Sequence, residues 1–277
     1  MTLRFAKYQG TGNDFLMIDC LGGLPELDWA AFATRWCDRH YGVGGDGVIL
    51  VLKGQTAPFA MRVINADGSE PEMCGNGLRC FVKYLADRGL APVGVFDVET
   101  GAGTLRPEVL PDGRVRVVMG APILERARIP MTGPESAQVV EEPIAVGAES
   151  FLVTAVSMGN PHAVIFVPEA DAVPLAEWGP ALERHPSFPA RTNVEFTEVL
   201  NRHEAKMRVW ERGAGPTLAC GTGACATLVA GVLTSRLDRE ATIHLPGGPL
   251  AISWPEGGPI VMTGAAEAVF EGQIPLV

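Results

Sequence analysis

Two short segments 146 positions apart, Met73-Cys74-Gly75-Asn76-Gly77 and Ala219-Cys220-Gly221-Thr222-Gly223, carry the same pattern of a cysteine, a Gly-x-Gly run and then a helical stretch. After the first, Leu78, Phe81, Val82 and Leu85 fall at i, i+3, i+4 and i+7; after the second, Cys225, Leu228, Val229, Val232 and Leu233 give the apolar stripe. Asn65 and Glu211 each precede their cysteine by nine residues, so the correspondence reaches upstream of the helices. The doubled pattern predicts an internal duplication into two similar halves. It also puts a thiol at two helix N-termini, where unpaired backbone N–H groups and the positive dipole end favour thiolate. Two such thiols facing each other could serve as base and acid.

The 277 residues, 47% hydrophobic and 19% charged, suffice for a large core in one or two globular domains. A formal net charge of −10 lacks the basic footprint that nucleic acid or an acidic membrane surface needs, which leaves a small molecule as the expected partner. Met1 to Phe15 has neither a charged n-region nor an apolar h-region, and no run approaches the roughly 18 apolar residues of a membrane span. Six cysteines in so long a chain are too sparse for a disulfide scaffold and fit a reducing, cytoplasmic setting. The gaps Cys74-x₅-Cys80 and Cys220-x₄-Cys225, with no histidine cluster beside them, do not make a zinc site, so no metal is expected. Cys80 and Cys225 read as buried packing thiols.

Arg4 to Asp19 reads as extended chain broken by the turn Gly10-Thr11-Gly12-Asn13, Leu27 to His40 as helix, and Val48 to Leu52 and Phe59 to Ile64 as strands. Further strands are expected at Val93 to Glu99, Gly103 to Val109 and Arg114 to Met119, the last two joined by the turn Pro111-Asp112-Gly113. Gly120 to Pro143, rich in Pro, Gly and charge, is the expected boundary between halves. Beyond it Phe151 to Ser157, Ala163 to Val167 and Glu204 to Trp210 read as strands. Gly42-Val43-Gly44-Gly45-Asp46-Gly47 satisfies G-x-G-x-x-G, but a helix precedes it and a strand follows, the reverse of the dinucleotide-binding order. It is read as a glycine-rich connection.

Gly12-Asn13-Asp14-Phe15, Asn65-Ala66-Asp67-Gly68-Ser69, Cys74-Gly75-Asn76-Gly77-Leu78-Arg79-Cys80, Met158-Gly159-Asn160-Pro161-His162, and Glu211-Arg212-Gly213-Ala214-Gly215 with Cys220-Gly221-Thr222-Gly223-Ala224-Cys225 together resemble the diaminopimelate epimerase family, and Leu245-Pro246-Gly247-Gly248 extends the likeness. The resemblance implies an α+β fold of two similar domains, each a mixed β-sheet or barrel wrapped around a central helix, with the active site in the interdomain cleft. The domains would be 1–120 with 263–277, carrying Cys74, and 121–262, carrying Cys220. Pro216 and Phe270 depart from the family pattern, as does Gly47, where some members carry Gln.

The activity so implied is cofactor-independent epimerisation of L,L-2,6-diaminopimelate to the meso isomer, for lysine and peptidoglycan precursors, with Cys74 and Cys220 as the catalytic pair. One base returning its proton to the same face would change nothing, whereas a thiolate on one face of Cα and a thiol on the other invert it. With no electron sink, the substrate carboxylate must carry the developing charge, held by backbone N–H groups at Gly75, Asn76, Gly221 and Thr222. The family's other substrate contacts match Asn13, Asn65, Asn160, Asn193, Glu211 and Arg212, while His162 and Glu211 match positions that tune the thiols. Read alone, Asn65 and Asn160 would be no more than turn residues. A homodimer is implied as well. The alternatives are a related racemase of histidine or proline type, and a thiol-redox-switched binding protein, which the absence of C-x-x-C disfavours.

Overall fold

The computed structural model describes residues 2–276; Met1 and Val277, the outer limits of the first expected domain, lie outside them. The chain divides into two compact units, one running to Val118 and resuming at Thr263, the other spanning Met119–Met262. The Pro- and Gly-rich stretch after residue 120 lies within the second unit, where Ile129, Met131 and Val139 are core residues.

In the first unit seven strands form one mixed sheet, in the spatial order Glu267–Pro275, Thr2–Gly10, Asn13–Asp19, Gly47–Lys53, Phe59–Asn65, Val98–Thr100 and Gly103–Leu105. Asn13–Asp19 and Gly47–Lys53 are parallel, joined through the short helix α1 (Trp29–Trp36), and their other neighbours in the central four strands are antiparallel. Asp28 caps α1, its Oδ1 accepting from Ala31 N at 3.0 Å. The helix ends at Trp36, earlier than its apolar pattern suggests, because Val43 and Gly44 turn back to donate to the Trp36 carbonyl. The cysteine-led helix α2 (Gly75–Asp87) packs on this sheet through Leu78, Phe81, Val82 and Leu85, all fully buried. Removing each of these side chains from water contributes roughly 1.5–3 kcal/mol.

The second unit repeats the plan. Glu142–Val146, Glu149–Ser157, Pro161–Phe166, Asn193–Asn201, Glu204–Glu211, Glu240–Leu245, Gly248–Ser253 and Ile260–Gly264 follow one another across the sheet. Pro161–Phe166 and Asn193–Asn201 are parallel, joined through α3 (Leu175–Glu183), and Glu204–Glu211, itself parallel to Glu240–Leu245, leads to α4 (Gly221–Leu233). Equivalent registers confirm the duplication: Phe15 pairs with Gly47 and Gly47 with Asn65 in the first unit, His162 pairs with Asn193 and Glu195 with Val209 in the second. Ile49, paired with Val63, therefore matches Glu195. Helix α4 is apolar nearly all round, with Ala224, Cys225, Ala226, Leu228, Val229 and Ala230 fully buried.

Two expectations are corrected. Neither sheet closes as a barrel: in the first unit the terminal strand Gly103–Leu105 is three residues long and pairs only with Val98–Thr100, which leaves both sheet edges open. The segments read as single strands over 93–99 and 103–109 each break in two, into Gly94–Val95 and Val98–Thr100, and Gly103–Leu105 and Glu108–Val109. Pro107 has no N–H to extend the ladder, and the halves pair differently: Gly94–Val95 joins Glu108–Val109, while Val98 pairs with Phe59. No helix among the described residues is long and apolar enough to cross a membrane.

Candidate functional site

Each cysteine is the N-cap of its helix in nearly the same backbone conformation, φ −136° and ψ 114° at Cys74, φ −132° and ψ 103° at Cys220. Each Sγ accepts the N–H three residues on, from Gly77 or Gly223, at 3.4 Å in both cases. Glycine leaves room at these third positions, and the two differ in what a side chain there would meet. A Cβ at Gly77 would come within 3.0 Å of Ile49 Cδ1, and one at Gly223 within 2.8 Å of Glu195 Oε1. The N–H groups of the first helical residues, Gly75 and Asn76 or Gly221 and Thr222, have no intrahelical carbonyl and face the start of the helix.

In the first unit the structure brings together Cys74, Asn13 and Asn76. Asn13 Oδ1 accepts from Asn76 Nδ2 at 3.3 Å and lies 3.8 Å from the Cys74 thiol. Asn13 Nδ2 in turn donates to Asp46 Oδ2 at 2.5 Å. Asp46 also accepts from the Asp14 N–H and from Arg39, and Arg39 and Lys7 pair with Asp14. These cations, together with hydrogen bonds, hold the Asp14 carboxyl low against a burial effect that raises it. The glycine-rich connection thus has a task that the sequence reading missed, which is to deliver Asp46 to Asn13. Asn65 closes a turn instead, donating to Ser69 Oγ at 2.9 Å. At Gly47, which departs from the family pattern, a Cβ would meet the Ile64 carbonyl at 2.6 Å, so this backbone admits only glycine there.

The second unit assembles Cys220, Thr222, Asn160, His162 and Glu211. Asn160 Nδ2 donates to Thr222 Oγ1 at 3.3 Å, and its Oδ1 faces His162 Nε2 at 3.1 Å. Thr222 Oγ1 lies 3.6 Å from Cys220 Sγ. Glu211 accepts from Thr217 and from the Cys220 thiol, yet burial raises its carboxyl above the ordinary value. Asn193 pairs with His162 across the parallel strands, and Asn193 and Arg212 are bonded to backbone groups. Asn193 is buried with its amide bonded to the Pro161 carbonyl at 2.8 Å and to the Arg212 N–H at 3.0 Å; the Arg212 side chain donates to the Ala190 carbonyl.

A residue that sequence reasoning missed completes the set: Glu195, fully buried, whose Oε1 lies 2.7 Å from His162 Nδ1. An imidazole nitrogen, a Glu195 oxygen and Cys220 Sγ lie within 4.8 Å of one another. His162 and Glu195 hydrogen-bond each other beside the thiol.

The expected thiolate at Cys220 is corrected. Burial, then the nearby Glu211 and Glu195 carboxylates, push this thiol well above its ordinary range and outweigh the helix end. Cys220 is only 4% exposed, whereas Cys74 is partly open to solvent. Cys80 and Cys225 are fully buried, and burial pushes the Cys80 thiol up to about 12. All six cysteines are free of disulfides.

The sequence profile of the diaminopimelate epimerases matches residues 5–125 and 154–269. The diaminopimelate epimerase of Pelotomaculum thermopropionicum is 53% identical over 279 residues, covering 99% of both chains, and that of Desulforudis audaxviator is 55% identical over 276 residues, covering 98% of this chain and 99% of its own. The chain belongs to the diaminopimelate epimerase family. Members of this family are isomerases, and the cysteine-capped helices lie within both matched segments. The two-domain α+β fold recurs in a PhzF-family phenazine biosynthesis protein of Bacillus anthracis, with TM-score 0.73 at 19% identity over the whole of both chains. A hydroxyproline epimerase from Agrobacterium vitis shares it too, with TM-score 0.69 at 16% identity over 99% of this chain and 92% of that one.

Proposed function

We propose that this protein converts L,L-2,6-diaminopimelate to the meso isomer by two-base inversion at Cα, with Cys74 and Cys220 as the catalytic pair and without a cofactor. The observation that carries this reading is the pair of matching cysteine N-caps in a chain more than half identical to diaminopimelate epimerases. Inversion requires one group to remove the Cα proton and another to deliver one from the opposite face. Cys220, kept protonated by burial and by Glu211 and Glu195, is the donor in the resting protein, and Cys74 is the base. After one turnover the roles are exchanged, and reaction in the reverse direction restores them.

The substrate carboxylate, which takes up charge as the proton leaves, is held by the free N–H groups at Gly75, Asn76, Gly221 and Thr222. Asn13, Asn65 and Asn160 orient the amino-acid ends. Glu211 receives an ammonium, and Arg212 clamps the distal carboxylate once released from the Ala190 carbonyl. Asn193 acts through Arg212, whose backbone it holds. His162 tunes Cys220 from the buried side. This reading includes a cytoplasmic homodimer, supported by exposed Val269 and Phe270 on the edge strand Glu267–Pro275. Sedimentation of the purified protein tests the dimer.

The functional test is incubation of reduced protein with L,L-diaminopimelate in D₂O. Meso product carrying deuterium at Cα supports the reading. Folded, reduced protein that yields neither product nor exchange overturns it.

A further inference from the structure

The two halves differ beneath the cysteines. Where the first unit has Phe15 and Ile49, both buried and apolar, the second has His162 and Glu195 at the equivalent register positions. Both are fully buried and hydrogen-bonded to each other, Nδ1 to Oε1, at 2.7 Å. Glu195 Oε2 is buried with no hydrogen-bond partner among the described residues. An ionisable pair in a core is costly unless it is used, and a lone buried carboxylate oxygen more so. The polar pair also lies directly under the helix start, since a Cβ at Gly223 would meet Glu195 Oε1 before anything else.

We propose that Glu195 is a positioning residue of the Cys220 half-site: its carboxylate accepts from His162 Nδ1–H and fixes the imidazole, and its negative charge beside the thiol keeps Cys220 in the proton-donating form. This rests on the reading of Cys220 as one of the two bases. The groups around the thiol are few. Strand Glu204–Glu211 contributes Glu211, strand Asn193–Asn201 contributes Glu195, strand Pro161–Phe166 contributes His162, and α4 itself contributes the Thr222 hydroxyl and the Gly223 N–H. The remaining strands packed on α4 present Val156, Ile243 and Leu250, which carry no charge. Glu195 and Glu211 both oppose a second negative charge at Sγ. Of the two, Glu195 is also the one that orients the imidazole.

The test needs no substrate. Wild-type protein, Glu195→Gln and the double variant His162→Phe/Glu195→Ile, which installs the apolar pair of the first half, are alkylated with iodoacetamide from neutral to strongly alkaline pH. Labelling of Cys74 and Cys220 is followed separately by peptide mass spectrometry. The Cys220 midpoint is expected to fall by about one pH unit in Glu195→Gln and to move the same way in the double variant, while that of Cys74 stays in place. In the active variant the alkaline limb of kcat/KM moves down with it. An unchanged or raised Cys220 midpoint in folded Glu195→Gln protein overturns the proposal, and the double variant is judged by the same criterion if the single one does not fold. A fall in the Cys220 midpoint in a protein that does not epimerise diaminopimelate upholds the role of Glu195 and discards the substrate reading.

Discussion

The two cysteine-capped helices have the same cap geometry and opposite surroundings. Cys74 Sγ lies 3.8 Å from Asn13 Oδ1, and Asn13 is in turn held by Asn76 and by Asp46, which Arg39 also bonds. Cys220 is enclosed by Glu211, Glu195 and His162. A helix N-terminus supplies both thiols with the same partial positive charge, worth at most a couple of kcal/mol, so it cannot make them different. Burial and neighbouring carboxylates do that, and they turn a duplicated structural unit into two chemically distinct half-sites. On the proposed reading, this difference divides the pair into base and acid before substrate arrives.

The strongest challenge to the comparison is to remove each thiol in turn. Cys74→Ser and Cys220→Ser should each lower kcat by about 10²–10⁴-fold, the range expected when a positioned acid or base is lost, with unchanged far-UV circular dichroism. Single-turnover reactions in D₂O then sharpen it: with the base gone, washout of Cα hydrogen from the L,L isomer should be lost in Cys74→Ser but detectable in Cys220→Ser. Equal washout in both variants would refute the resting assignment.

A matched pair of substitutions probes the environments rather than the thiols. Gly77→Ala brings a methyl group against Ile49 Cδ1, the end of a side chain that can rotate away, and the gain in helix propensity of roughly 1 kcal/mol offsets the crowding. Gly223→Ala drives the same methyl group into Glu195 Oε1 at 2.8 Å and Cys220 Sγ at 3.2 Å. The first should leave kcat within about threefold of wild type, and the second should reduce it at least about tenfold, since small displacements of a reacting group carry large rate penalties. A smaller loss is expected of Asp46→Asn, which weakens the charge-assisted hold on Asn13 and should lower kcat/KM by about threefold to tenfold. Steady-state kinetics on the three variants ranks them.

The helices, the cysteines and the duplication were legible because they are local: a glycine-rich cap followed by a 3.6-residue apolar stripe identifies itself within a dozen positions. Glu195 was not. In Asn193-Val194-Glu195-Phe196-Thr197 the alternation reads as a strand with one wet face, yet that face lies under α4 and is as dry as the other. Only the position of a helix 26 residues downstream, starting at Gly221 after the strand that begins at Asn193 and carries Glu195, decides it. Helix α3 was missed because Gly179 and Pro180 look like breakers. Gly179 is there so that the helix can lie against the Trp210 ring, which a Cβ would strike at 2.6 Å. Asp46 was hidden for the converse reason: six loop residues full of glycine signal flexibility, and nothing local says that one carboxylate in them reaches Asn13. Asn193, matched as a substrate contact, bonds the Pro161 carbonyl and the Arg212 N–H, partners that only the fold brings to it.

The smallest effect separates the units by stability. Burial holds the Cys37 and Cys80 thiols up to about 12 and Cys20 up to about 11, all in the first unit, while in the second unit burial and carboxylates together raise the Cys220 thiol. A thiol in the unfolded chain ionises near pH 8.5–9. Above that pH the unfolded state gives up protons that the folded state retains, so the folded state binds more protons and stability must fall as pH rises; below it these groups contribute no slope. Melting temperature measured under reductant should therefore be flat with respect to these thiols up to about pH 8.5 and decline beyond it. Replacing Cys37 and Cys80 together by serine or alanine should flatten that decline more than Cys220→Ser does, because two retained protons are removed rather than one. If Cys220→Ser alone abolished the alkaline slope, the asymmetry between the halves would reach beyond the catalytic groups, and the second unit would be the one whose unfolding limits the whole chain.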